Sequence, residues 1–181
     1  RCGGCRLQHL AYPAQLAFKT KQVADCLQRL GGVGAFEMRP IVPAPDIYGY
    51  RNKMEFTVAR PRGAERVVPV GGRLDVERCL LQSARMNALL QEARAFVAER
   101  RLTAYDQESG EGLLRFLMLR EGTHTGEAMV NVVTSAPAVS ELEPLVGRVQ
   151  ARVPETSSVV LNVNPKKASV AVGVEEHLLG G

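Results

Sequence analysis

Apolar residues recur at helical spacing over 13–30, where Leu16, Val23, Leu27 and Leu30 fall on one stripe. Pro13 stands in the first turn, where its missing N–H costs nothing, and Gly31-Gly32 stop the helix. Cys26, three residues after Val23 and four before Leu30, shares the stripe and reads as a small buried hydrophobe. A loop with Pro40, Pro43 and Pro45 follows, and the period then changes to two. Over Tyr50–Ala59, Met54, Phe56 and Val58 alternate with Glu55 and Thr57, the pattern of a half-buried strand. Residues 60–73, rich in Gly, Pro and Arg, predict a loop or ragged hairpin.

Ser83 is suited to cap a second helix running to about Arg100, with Met86, Leu89, Leu90, Ala93, Phe96 and Val97 on its inner face. Leu113–Arg120 and Glu127–Thr134 are apolar runs separated by a turn-like Gly122–Gly126, which predicts two antiparallel strands. Ser140 with Glu143 three residues on is a capping box for a helix to about Val153, with Pro144 tolerable in its first turn. Two last strands are expected near Ser158–Asn164 and Ser169–Glu176, flanking Pro165-Lys166-Lys167. Strand pairs joined by short turns, with helices between them, give an α+β fold with a mainly antiparallel sheet and flanking helices. No G-x-G-x-x-G follows a strand and opens a helix, so no Rossmann domain and no nucleotide or cosubstrate pocket are expected in this chain.

Composition narrows the class. The chain has 181 residues, 45% hydrophobic and 23% charged, and no apolar run near the roughly 18 residues that cross a bilayer. It opens on Arg1 and a cysteine pair with no leader-like stretch, and is expected to be a segment of something longer. Charge is unevenly placed: residues 1–90 hold 14 Lys or Arg against 7 Asp or Glu, and residues 91–181 hold 9 against 12. Within the basic half, Arg51, Lys53, Arg60, Arg62, Arg66 and Arg73 face only Glu55 and Glu65 over 51–73, a density that suits a polyanion such as nucleic acid.

Four unevenly spaced cysteines point to a metal or redox site rather than a disulfide framework. Cys2-Gly3-Gly4-Cys5 admits three readings. A dithiol redox pair belongs between a strand and a helix N-terminus, yet only one residue precedes this one. Half of a zinc site could be completed by Cys79 and one of His9, His124 or His177. An iron-sulfur site needs four thiolates, reached only with Cys26 or a residue before Arg1. No H-E-x-x-H or G-x-S-x-G occurs, and no residue has the context of a nucleophile. Tyr50-Arg51-Asn52-Lys53 opens a strand with an aromatic that can stack on a base, two cations for phosphate oxygens and an amide for a base edge. Arg115 and Arg120 bracket Phe116–Leu119 and extend a basic surface if they share that face.

The stretches CGGCRLQHLAYPAQLAFKTKQV at 2–23, YRNKMEF at 50–56, CLLQS at 79–83, GLLRFLMLR at 112–120, GEAMVNVVT at 126–134 and VAVGVEEHLLGG at 170–181 carry a family resemblance. Together, in this order, they resemble the RNA uracil-5-methyltransferases, which use S-adenosylmethionine to form 5-methyluridine in transfer RNA and 23S ribosomal RNA. The resemblance implies a 4Fe-4S cluster on Cys2, Cys5 and Cys79. The family's first cysteine would precede Arg1, which leaves three ligands, a set that holds a cluster poorly, loses it or has the gap filled by something else. Cys26 matches no ligand position. It further implies that 1–40 form a cluster loop and a helix packing on a methyltransferase domain absent from this chain, and that 41–181 form a central RNA-binding domain. The nucleophilic cysteine, the base and the S-adenosylmethionine site belong to that absent domain, so this chain has no catalytic residue and is expected to be inactive alone. Tyr50, Arg51, Asn52, Lys53, Arg115 and Arg120 are then the candidate RNA contacts, with Arg60, Arg62 and Arg66 adding phosphate attraction. The expected partner is transfer or ribosomal RNA and no membrane, in the cytoplasm or a plastid. The competing readings are a stand-alone zinc-bearing RNA-binding module and a dithiol oxidoreductase.

Overall fold

The structure is a computed structural model that describes residues 5–60, 68–71, 74–167 and 170–181. It divides into two compact units, Gly4–Ile47 and Tyr48–Gly181.

The first unit is built on helix α1, Tyr12–Asp25, which has Pro13 in its first turn and continues as a π-helical turn, Cys26–Leu30. Tyr12 ties the extended segment that follows back to the helix, its hydroxyl accepting from the Ala44 N–H at 2.7 Å. The stripe read from the sequence exists as a helical face but not as a core. No residue of α1 is buried, Phe18 and Leu30 are largely open, and Cys26 is exposed, which corrects its reading as a buried hydrophobe. A unit of this length has too little chain to cover one side of a four-turn helix.

The second unit contains, in chain order, β1 (Lys53–Ala59), β2 (Val68–Gly71), β3 (Leu74–Asp75), α2 (Ala84–Glu99), β4 (Leu114–Glu121), β5 (Ala128–Thr134), α3 (Val139–Arg152), β6 (Thr156–Val163) and β7 (Glu175–Gly180). The strands form one sheet in the order β3-β2-β1-β4-β5-β6-β7. Every pair is antiparallel except β5 with β6, which α3 connects as a crossover. The α+β fold with a mainly antiparallel sheet is therefore as expected.

One sheet face carries Phe56, Val58, Leu117, Leu119, Val130, Val132, Val159 and Leu161, and packs on Met86, Leu89, Leu90 and Phe96 of α2 and Leu142, Leu145 and Val149 of α3. Each of these large side chains gains about 1.5–3 kcal/mol by leaving water. All six residues assigned to the inner face of α2 are buried, and the Ser83 hydroxyl caps the helix by accepting from the Met86 N–H at 3.1 Å. At the other end Arg101 takes φ 53°, and the Leu102 N–H reaches the Val97 carbonyl at 3.1 Å in a Schellman closure that usually employs glycine. Arg148 of α3 clamps the two helices. It pairs with Glu92 at 2.5 Å and with Glu99 and lies over the Phe96 ring, and its guanidinium holds the Glu99 carboxyl below the usual carboxylate range.

Two expectations are displaced. α3 begins at Val139, so Ser140 lies inside the helix and bonds the Glu141 carboxylate instead of capping. The last strand begins at Glu175, not Ser169, because Ala171 packs instead on the second sheet face with Phe116, Met118 and Val133. Pairing with β6 resumes where the Val174 N–H meets the Val163 carbonyl.

Candidate nucleic-acid interface

Tyr50-Arg51-Asn52-Lys53 enters β1 alongside the loop that precedes α2. The Gly49 N–H donates to the Leu80 carbonyl at 2.9 Å and the Arg51 N–H to the Leu81 carbonyl at 2.8 Å. Gly49 makes the approach with φ +68°, the left-handed region that glycine enters without penalty. All four side chains are exposed, and Tyr48, not singled out in the sequence, stands open beside Tyr50.

The facing loop is held by Asn87, in the first turn of α2. Its Oδ1 accepts from the Cys79 N–H at 2.9 Å, and its Nδ2 donates to the carbonyls of Cys79 and Ser83, both at 2.9 Å. Cys79 is half-buried at the edge of the core with its main chain pinned at both ends. The structure thus brings the Cys79 loop and the Tyr50 segment together through main-chain bonds, with Asn87 as the hub. Nothing in the residue pattern marks Asn87.

Lys53 is directly opposite Arg120 in the β1–β4 ladder, so the two cations share a face and both are exposed. Like charges in facing positions are destabilising. Neither pairs with a carboxylate among the described residues. The nearest acid on β4, Glu121, is taken by Arg85 at 2.5 Å, and Arg85 also donates to the Gly126 carbonyl at 2.8 Å. The α2 end thereby fixes the tip of β4 and leaves Arg120 uncompensated. Arg60 is exposed one residue past β1, while Arg62 and Arg66 lie outside the described residues.

Arg115 does not join this surface. It is the inserted residue of a bulge between Leu114 and Phe116, and only 4% of it is exposed. Its guanidinium stacks on Tyr105, 4.3 Å from the ring centre, and donates to the Asn164 carbonyl at 2.6 Å.

Of the cysteines expected as sulfur ligands, Cys2 lies outside the described residues and Cys5 is half-buried in the first unit. Among the described residues no three of His, Cys, Asp or Glu converge on one point, and none of the three histidines joins Cys79 in such a group. No helix among them is long and apolar enough to cross a membrane.

No protein-family model matches the chain. A protein of Halalkalibacterium halodurans described as an uncharacterized RNA methyltransferase is 33% identical over 188 residues, covering all of this chain and 40% of that protein. One from Chlorobaculum tepidum with the same description is 35% identical over 201 residues, covering 99% of this chain and 42% of the relative. This chain is homologous to one part of proteins described as RNA methyltransferases. It spans about 40% of the length of the curated relatives it matches. The crystal structure of the Pyrococcus abyssi tRNA (uracil-54, C5)-methyltransferase in complex with S-adenosyl-L-homocysteine matches with a TM-score of 0.69 and 26% identity, over 98% of this chain and 41% of that one. The resemblance read from the sequence is thus supported by both sequence and fold.

Proposed function

We propose that this chain is the RNA-binding segment of an S-adenosylmethionine-dependent RNA (uracil-5-)-methyltransferase, and that it grips a structured transfer or ribosomal RNA and presents its loop for methylation. The observation that carries this reading is the facing, uncompensated pair Lys53 and Arg120 beside the exposed Tyr48, Tyr50 and Arg51. A sheet built for stability alone would place opposite charges or apolar pairs there. Cations on a strand with aromatics at its entrance suit phosphates and unstacked bases.

S-adenosylmethionine supplies the methyl group. We assign its binding, and the attack on the uracil, to parts of the relatives that this chain does not match. No step of the chemistry is assigned to a residue of this chain, whose work is to bind and orient, in the cytoplasm or plastid where such RNAs mature. The exposed apolar side of α1 is read as a surface for that catalytic part.

The test is binding of the chain to a fluorescent RNA hairpin across salt concentrations. Lys53→Ala/Arg120→Ala is expected to flatten the dependence of log K on log salt by about 2, about one for each phosphate that is no longer neutralised. An unchanged slope in this variant would remove the pair from the interface.

The thiols suit a soft iron-sulfur centre. Cys79 is held half-buried on a pinned loop and Cys5 is half-buried, so both thiols are partly shielded, and Cys2 is the third donor by resemblance. We assign the centre a structural role, because uracil-5 methylation involves no net electron transfer. The whole protein that contains this chain, purified without oxygen, is expected to carry iron held by cysteine thiolates and to be brown, and Cys79→Ser in it to lose that iron. Iron retained in full by Cys79→Ser would exclude Cys79 as a ligand.

A further inference from the structure

The connection between β6 and β7 runs from Asn164 to Val174, far longer than antiparallel neighbours need, and its first part is clasped from below. Arg115, aimed there by the bulge in β4, donates through Nη1 to the main-chain carbonyls of both Asn164 and Lys166. Gln107 donates to the Lys167 carbonyl at 3.1 Å. The Asn164 side chain closes the turn on itself, accepting from the Lys166 N–H at 3.1 Å and donating to the Val170 carbonyl at 2.8 Å. The main chain of two adjacent lysines is therefore fixed by three separate side chains, while both lysines are exposed and neither meets a carboxylate among the described residues.

A buried guanidinium is costly to desolvate, and here it serves a surface turn. What the arrangement secures is a pair of neighbouring cations whose backbone loses no freedom on meeting an anion, which lowers the cost of binding. We propose that Lys166 and Lys167 form a second phosphate-binding element for RNA, and that Arg115 is its positioning residue rather than an RNA contact. This rests on the RNA-binding reading above. Arg115 and Arg120 are five residues apart on β4, roughly 17 Å at strand spacing, so the lysine turn and the Lys53–Arg120 pair are separate sites whose effects should add.

The experiment is the same hairpin titration with the full chain. Lys166→Ala/Lys167→Ala, both at exposed positions, is expected to flatten the salt slope by about 2, so that between 50 and 200 mM salt the wild type loses roughly tenfold more affinity than the variant. Arg115→Lys keeps the charge but loses the planar fork. It should weaken binding in the wild-type background and have no further effect once both lysines are alanine. Equal weakening in both backgrounds, or none in either for a folded variant, would overturn the positioning role. Should Arg115→Lys not fold, Gln107→Ala, which frees the Lys167 carbonyl, takes its place with the same non-additivity expected. A wild-type slope in Lys166→Ala/Lys167→Ala, while Lys53→Ala/Arg120→Ala still flattens it, would overturn this inference alone. Failure of the wild-type chain to bind the hairpin at all would overturn the RNA reading and this inference with it.

Discussion

Phe96→Ala is expected to lower the unfolding free energy by about 3–5 kcal/mol, the range for removing a fully buried phenyl ring from a packed core. Phe96 is completely buried on the inner face of α2 and lines the same small gap as Leu117 and Val132 of the sheet and Leu142 and Leu145 of α3. It is thus the residue at which both helices and the sheet meet. Its ring also lies under two guanidinium groups, Arg100 at 5.7 Å and Arg148 at 5.8 Å from the ring centre. Alanine leaves a cavity that α3 cannot fill without breaking the Arg148 clamp to Glu92 and Glu99. Urea unfolding followed by circular dichroism measures the loss, and a cost below about 1 kcal/mol would mean that the helices do not pack as described.

Gly112→Ala should be nearly as damaging for a different reason. Gly112 has φ +97°, and a Cβ built on it would come within 2.0 Å of the Ala104 carbonyl oxygen. A side chain in that backbone region costs about 1–3 kcal/mol by itself, and the overlap with main chain cannot be relieved by a rotamer change. The 103–105 segment would have to withdraw from β4, breaking the Leu114 N–H bond to the Thr103 carbonyl at 2.8 Å and the Tyr105 N–H bond to the Leu114 carbonyl at 2.7 Å. Tyr105 would then move from beneath Arg115. A total loss near 3 kcal/mol or more is expected in the same unfolding assay, together with a flattened salt dependence of RNA binding from the loosened lysine turn. A variant as stable as the wild type would show that the two segments do not approach so closely.

How much of the fold is legible in the sequence varies by element. α2 can be read closely because its capping serine, its uninterrupted 3.6-residue pattern and its inner face all agree, and consistent signals of that kind leave few alternatives. The pairing of β4 with β5 is readable from two apolar runs around a glycine turn. The last strand is misplaced by pattern alone because Val170, Val172 and Val174 alternate like a strand, yet they point outward while the small Ala171 and Gly173 pack inward. Alternation gives a period but not which phase faces the core. At α3 the Ser140–Glu143 spacing fits a capping box, but the helix has already begun at Val139.

The candidate site divides in the same way. Tyr50, Arg51 and Lys53 are visible as residue types at a strand entrance, and Arg120 as a flanking charge, but their uncompensated pairing depends on strand register. Arg115 looks equivalent to Arg120 because a bulge leaves no mark in hydrophobic patterning. Asn87 escapes notice for a related reason, since its role consists of hydrogen bonds to main chain, which any sequence context can supply.

The most direct test of the RNA-binding role is the salt dependence of RNA hairpin binding by the unaltered chain. The proposed interface relies on five cations for phosphate contact: Arg51, Lys53, Arg120, Lys166 and Lys167. At about 0.7–0.9 per neutralised phosphate, they predict a slope of log K against log salt of about −3.5 to −4.5. Absence of binding at low salt, or an affinity indifferent to salt, would contradict it.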